Sequence, residues 1–229
     1  MQRLDAATGV QYFTQTANID LSGQSWMPFY FGGHFDGNGK TISNVKISNP
    51  SNDYVGFFSK LSTGGELIGI KLENVDVLGY EYVGGLVGFA DGSISNSYAS
   101  GSVSGTSNVG GLVGVTYSSI SNSYASGSVS GTSNVGGLVG WNDGRISNSY
   151  ALGSVTGTSS VGGLVGVASG SISSSYYDSE TSNQSDTGKG IPRTTAEMKT
   201  GTPSETIYTG WDLAIWDFGT SSDYPTLRK

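Results

Sequence analysis

The sequence predicts an all-β protein, a right-handed parallel β-solenoid with about 26 residues and three short strands per coil, closed by N- and C-terminal caps. Three observations predict it. The pentapeptide GGLVG begins at Gly84, Gly110, Gly136 and Gly162, so successive copies lie 26 residues apart with no insertion. Chance does not hold register over four copies, and a fixed period of this size marks stacked supersecondary units. Inside each unit, exemplified by SNVGGLVGVTYSSISNSYASGSVSGT, apolar residues alternate with small polar ones, which is strand periodicity. Finally, the chain holds 37 glycines in 229 residues without a collagen period. Each glycine costs roughly 1 kcal/mol inside a helix relative to alanine, so a helical reading fails.

The three stretches of a unit, such as GGLVG, SISNSYA and GSVSG, are separated by Gly, Ser, Asn and Asp, the residues of tight turns. The constant period stacks like residues, roughly 4.8 Å apart per coil. The expected core ladders are Leu86, Leu112, Leu138 and Leu164; Ile94, Ile120, Ile146 and Ile172; and Val103, Val129 and Val155. Tyr98, Tyr124, Tyr150 and Tyr176 form an aromatic ladder at a corner or partly inside. Asn96, Asn122 and Asn148 are expected as an internal amide ladder that satisfies turn carbonyls. Right-handed coiling follows from the chirality of parallel crossovers. Gly84-Gly85 and its equivalents read as corners; a phosphate-cradling loop would need a following Lys-Ser/Thr and a helix.

The ends depart from the repeat. Residues 1–31 read as an N-terminal cap rich in aromatics, residues 32–176 as solenoid coils with regular repeats over 83–176, and residues 177–229 as a C-terminal cap. Caps are expected because a solenoid exposes unpaired strand edges at both ends. Thr194 to Lys199 reads as a short helix with Thr194 at the N-cap and Glu197 completing a capping box. Trp211, Trp216, Phe218 and Tyr224 are large enough to plug the end of the core.

Composition excludes several chemistries. With 11 Lys and Arg against 18 Asp and Glu, and no basic cluster, the chain does not suit nucleic acid. It has no cysteine, which rules out disulfides and thiolate sites. No apolar run approaches the roughly 20 residues of a membrane span. Between Tyr82 and Tyr177 the only charged side chains are Asp91, Asp143 and Arg145. Asp91 and Asp143 fall two coils apart, roughly 10 Å along the stack, in the turn contexts ADGS and NDGR, so solvated turn residues are expected rather than a glycosidase pair. The single histidine, His34, has no nucleophile-elbow motif near it. Calcium is the metal the sequence disfavours least, through Asp178, Glu180 and Asp186, although these match no EF-hand or nonapeptide pattern. No catalytic, cofactor-binding or metal-ligating residue is assigned, and the candidate binding face comprises the hydroxyls of Ser93, Ser95, Ser97, Ser102, Ser104, Thr106, Thr132 and Thr158.

With the repeat located, GGLVG followed by GSISNSYASGSVSG resembles the GLUG repeat of bacterial and archaeal surface proteins, including adhesin-like chains and accessory regions of IgA-peptidase-type proteins. FDGNGKTISNVKIS upstream, and SYYDSETSNQSDTGKGIPRTTAEMKTG and WDLAIWDFG…YPTLR downstream, are similar to segments flanking such repeats. The resemblance implies architecture and a cell-surface location and carries no catalytic motif onto this chain. The expectation is a non-catalytic structural or adhesive module of a secreted protein, meeting a surface glycan, a protein or neighbouring modules. An ice-binding protein with a regular Ser/Thr face is the alternative, ahead of a polysaccharide-active β-helix enzyme. Met1 to Gly9 has no basic segment followed by an apolar one, so Met1 reads as the start of an excised or recombinant piece whose export signal and anchor are expected elsewhere.

Overall fold

The computed structural model describes the backbone of residues 2–5 and, in full, residues 11–204 and 207–228. Met1 and Gly9 lie outside the described residues. The chain is a parallel β-solenoid whose strands pair almost entirely with the strands of the coils before and after. Exact 26-residue spacing gives exact register: Tyr98 pairs with Tyr124, Ala99 with Ala125 and Val103 with Val129, through to Ser104 with Ser130.

Each regular coil has four strand-bearing faces, the fourth being interrupted in one coil between Tyr150–Leu152 and Val155–Thr156. In the coil before it the strands are Ser107–Gly110 (first face), Val113–Thr116 (second), Ser119–Ser121 (third) and Tyr124–Ser130 (fourth). The fourth strand arises because the stretch read as one GGLVG strand is split at its Gly-Gly pair. At Gly111 a Cβ would lie 2.3 Å from the Gly137 carbonyl oxygen, so the chain turns there and only glycine fits. Within the fourth face, Gly127 has φ +136° and an added Cβ would sit 1.9 Å from Gly101 O, which bends the long strand without breaking its pairing.

Two non-glycine positions in each regular coil are left-handed, one at a corner and one inside a strand. Asn96, Asn122 and Asn148 (φ 51°, 47° and 48°) turn the chain from the third face to the fourth, and Asn108 and Asn134 (both 54°) lie within the first. Asparagine tolerates this conformation better than other non-glycine residues. These positions therefore hold Asn for backbone reasons, and the expected internal amide ladder of Asn96, Asn122 and Asn148 is corrected: they are half-buried at a corner. The interior polar ladder is the next residue along. Ser97, Ser123, Ser149 and Ser175 are fully buried. The amides of Ser97, Ser123 and Ser149 donate to the hydroxyl of the following coil's serine at 3.1–3.2 Å, and each serine hydroxyl donates to the carbonyl two residues back at 2.7–2.8 Å. Each hydroxyl thus satisfies two backbone groups that would otherwise be stranded inside.

The apolar interior is one continuous cluster. Leu86, Leu112, Leu138 and Leu164 are completely buried, Ile94, Ile120 and Ile146 nearly so, with Ile172 packed against them at the last coil. Val103, Val129 and Val155 complete it on the fourth face.

Residues 11–31 contribute strands to the parallel ladders themselves: Gln11–Thr14 pairs with His34–Asp36, Ile19–Asp20 with Thr41–Ser43, and Phe29–Phe31 with Phe58–Leu61. Gln2–Asp5 adds an antiparallel strand on the outer edge. At the other end, Tyr177 lies against Gly163, the amide of Gly163 donates to Asp186 Oδ1 at 2.9 Å, and Lys189 O accepts from Val165 N at 3.2 Å. The loop between the short helices α1 (Ser179–Ser182) and α2 (Thr195–Met198) therefore covers the open edge of the last coil.

The tail beyond α2 does something the sequence reading placed elsewhere. Trp211, Trp216 and Phe218 do not plug the core; they lie along the outer side of the fourth face and bury the tyrosine ladder in a second apolar cluster. Rings of Tyr98, Tyr124 and Tyr150 stack at 4.7 and 4.8 Å, and Trp216 packs 5.7 Å from Tyr150. The tail then runs back until Arg228 O accepts from the buried Lys71 Nζ at 3.4 Å.

Two outcomes follow. Leu112→Ala should destabilise the chain by about 2–5 kcal/mol, because the neighbouring leucines hold the cavity open, and Gly127→Ala should abolish cooperative folding; denaturant titration followed by circular dichroism reads both.

Candidate functional site

The hydroxyl positions do not form one face. Ser93 and Ser95 flank Ile94 on the third face, Ser102 and Ser104 flank Val103 on the fourth, and Thr106, Thr132 and Thr158 stand at the turn between the fourth and first. The threonines are in register, with Thr132 N donating to Thr106 O at 2.8 Å and Thr158 N to Thr132 O at 2.9 Å. Thr132 and Thr158 are exposed. Ser97 is a correction: it is buried, because the left-handed Asn96 breaks the strand alternation that would have pointed it outward. The hydroxyls of Ser102 and Ser104 face backbone or carboxylate acceptors of the previous coil at 3.4–3.5 Å.

The remaining polar groups hold structure. His34 Nδ1 lies 2.8 Å from Glu66 Oε2 and its ring stacks on Tyr12 at 4.6 Å, one coil apart on the third face. Asp36 accepts from Asn38 N at 2.7 Å and shapes a turn. Asp178, Glu180 and Asp186 do not converge on a cation position. The Asp178 carboxylate accepts from the amides of Glu180 and Thr181, from Thr195 Oγ1 at 2.7 Å and from Tyr224 OH at 2.6 Å. Glu180 accepts from Thr195 N, and Asp186 from Gly163 N. Among the described residues no group of three or more His, Asp or Glu could hold a metal ion. Asp178 is instead a clasp joining α1, α2 and the tail. Burial pushes its carboxyl up, but the hydrogen bonds from Tyr224, Thr195 and the two amides outweigh it and hold it below the usual carboxylate range. Burial and the bond to Asp178 push the Tyr224 hydroxyl up to about 12.

The structure does bring together a group absent from the sequence reading. Tyr54 and Tyr82 stack at 4.7 Å, Phe89 meets both edge-on, Tyr117 lies 5.4 Å from Phe89, and Lys60 Nζ sits 3.6 Å above the Tyr54 ring. These residues come from three coils. Tyr54 and Tyr82 share one place in successive Tyr-Val-Gly stretches, a two-rung ladder that later coils continue with Asn108, Asn134 and Ser160. Phe89, Tyr117 and Lys60 are not repeated from coil to coil, so the group lacks a long periodic signal.

A family model described as the GLUG motif matches residues 79–104, 105–130 and 131–156, three consecutive windows that coincide with the coils. The chain carries GLUG repeats. Over 75 residues, a third of the chain, it is 41% identical to halomucin of Haloquadratum walsbyi (strain DSM 16790 / HBSQ001), of which the matched stretch is 1%. The fold also matches the crystal structure of a Bacteroides ovatus protein described as a "putative immunoglobulin A1 protease", at TM-score 0.61 and 23% identity, covering 95% of this chain and 85% of that one. That likeness shows the fold alone. In the GLUG coils the motif's Gly-Gly supplies the split between the first and second faces, and its Leu the innermost core position.

The clasp and the serine ladder each give an outcome. Asp178→Ala removes the acceptor of four part-buried hydrogen bonds and should cost about 2–3 kcal/mol, loosening the tail and changing the fluorescence of Trp211 and Trp216. Because the native carboxyl is held below its unfolded value near 3.8, its stabilisation is present above that pH and is lost as pH falls through the folded value. Acid titration of tail fluorescence should show this loss in the wild type and not in Asp178→Asn. Ser123→Ala leaves the buried Ser97 amide without an acceptor and should cost about 1–3 kcal/mol in thermal unfolding.

Proposed function

We propose that the chain is a non-catalytic, adhesive or structural module of a secreted cell-surface protein, a rod that meets a saccharide, a protein or neighbouring modules along its sides. The observation that carries this reading is the near-absence of reactive groups on the regular coils. Over residues 83–176 the charged side chains are Asp91, Asp143 and Arg145, all exposed, on turns or strand edges. Acid–base catalysis needs titratable groups brought together in a concavity, and these coils put backbone, Ser, Thr and Asn at the surface instead.

The GLUG repeats and the stretch shared with halomucin, a protein named as a mucin, support a place at a cell surface. Among the described residues no helix is long and apolar enough to cross a membrane. The Bacteroides ovatus neighbour's description names a protease, which makes immunoglobulin A1 a substrate to test. The ice-binding alternative has less behind it, since the hydroxyl rows fall on three separate parts of the coil.

Display of the chain on cells otherwise lacking adhesins tests the reading. The expected result is coaggregation or attachment to immobilised glycans or matrix proteins, with immunoglobulin A1 left intact and no reducing sugar released from polysaccharides. Cleavage of either substrate, or cells that attach to nothing and do not coaggregate, would overturn it.

A further inference from the structure

We infer that the outer strip formed by Phe89, Tyr117 and Trp141, with Asp91, Asp143 and Lys60 beside it, is a binding surface for an uncharged saccharide chain lying along the solenoid axis. The strip consists of two neighbouring columns. Lys60 pairs with Phe89, Phe89 with Val115, and Val115 with Trp141, which places Phe89 and Trp141 two coils apart, roughly 10 Å. Beside this column runs a second. Tyr117 N donates to Ala90 O at 2.9 Å and Asp143 N to Thr116 O at 2.8 Å, so Asp91, Tyr117 and Asp143 occupy the same place in three successive coils. The one aromatic ring in that column is flanked above and below by a carboxylate.

Packing does not account for Tyr117. It is 54% exposed, and the equivalent positions are Asp91, Asp143 and Ser169. Its ring leans on Phe89 at 5.4 Å and 40°, which fixes it on the surface as a side wall. The stacked pair Tyr54 and Tyr82 supports Phe89 from the other side. Among the described residues the carboxylates of Asp91 and Asp143 make no ion pair, and both residues are exposed.

The chemistry selects the ligand. Aromatic faces present a flat, polarisable apolar surface with few degrees of freedom to lose, which suits the C–H faces of sugar rings. Sugar hydroxyls both donate and accept, so they need acceptors and donors at the rim; Asp91 and Asp143 accept, and the Lys60 ammonium donates. A cationic peptide would also be drawn to carboxylates and rings, but Lys60 already covers the Tyr54 face at 3.6 Å and would repel it. The columns run along the axis, so an extended chain meets them in succession.

This inference rests on the surface-module reading only for where the saccharide would be met, so purified components test it separately. The full chain is titrated calorimetrically with soluble linear hexasaccharides of glucose, xylose, mannose and N-acetylglucosamine, and with polylysine, at low and high salt. Binding of at least one, little changed by salt, is expected. Tyr117→Ala should weaken that binding about tenfold, equivalent to roughly 1.4 kcal/mol, and Asp91→Asn with Asp143→Asn should weaken it too, while Leu213→Ala, at an exposed apolar residue of the tail, leaves it unchanged. Circular dichroism melts confirm that each variant is folded. No binding by any sugar, equal binding by Tyr117→Ala, or binding confined to polylysine at low salt would overturn the inference. Cell attachment in the display experiment without saccharide binding here would leave the module reading standing and this strip refuted.

Discussion

Everything in this protein depends on the inter-coil backbone hydrogen bond held at a constant 26-residue offset. Because the offset never slips over the regular coils, the ladder positions meet their own kind: leucine on leucine, isoleucine on isoleucine, serine on serine. A one-residue slip in any strand would turn its apolar set outward. The same constancy lets a polar residue sit inside. Ser123 is tolerable in the interior because its hydroxyl accepts from the Ser97 amide of the coil before and donates to the Ser121 carbonyl, while its own amide donates to the Ser149 hydroxyl of the coil after.

The parts of the fold that repeat were legible, and the parts that do not were legible only where local chemistry is strong. The 26-residue period led to parallel stacking and to the identity of residues sharing a ladder. The capping box at Thr194 and Glu197 was readable because it needs only four consecutive residues, and both of its hydrogen bonds are present. Alternation misassigned Ser97 because a left-handed corner shifts the phase of the strand, and Asn96 can adopt that corner without announcing it. The Gly-Gly split added a strand for a related reason: the turn is made by close approach of the neighbouring coil, a property of the stack and not of the pentapeptide. The tail was misplaced because Trp211 and Trp216 are equally suited to an end or a side, and only the tertiary position of the tyrosines decides.

The candidate surface shows the same divide. The serine and threonine columns were visible as periodic positions, yet the structure distributes them over different faces and commits several hydroxyls to the backbone. The aromatic strip was invisible because it is assembled from departures: Phe89, Tyr117 and Trp141 replace smaller or polar residues found at equivalent places in other coils. In a repeat protein the ladder positions maintain the scaffold. Individuality, and with it the capacity to recognise something, is concentrated where the repeat is broken.

The fold-back of the tail has a further consequence. Its contact between Arg228 and Lys71 spans the regular stack from beyond its last coil to a point before its first. The tail thereby acts as a gauge of coil number. Duplication or loss of one unit within the stack would preserve every ladder yet leave that contact mismatched by a full coil, so array length here is tied to an element outside the array. Shuffling of whole units, otherwise nearly free for a solenoid, is constrained by a strap cut to one size.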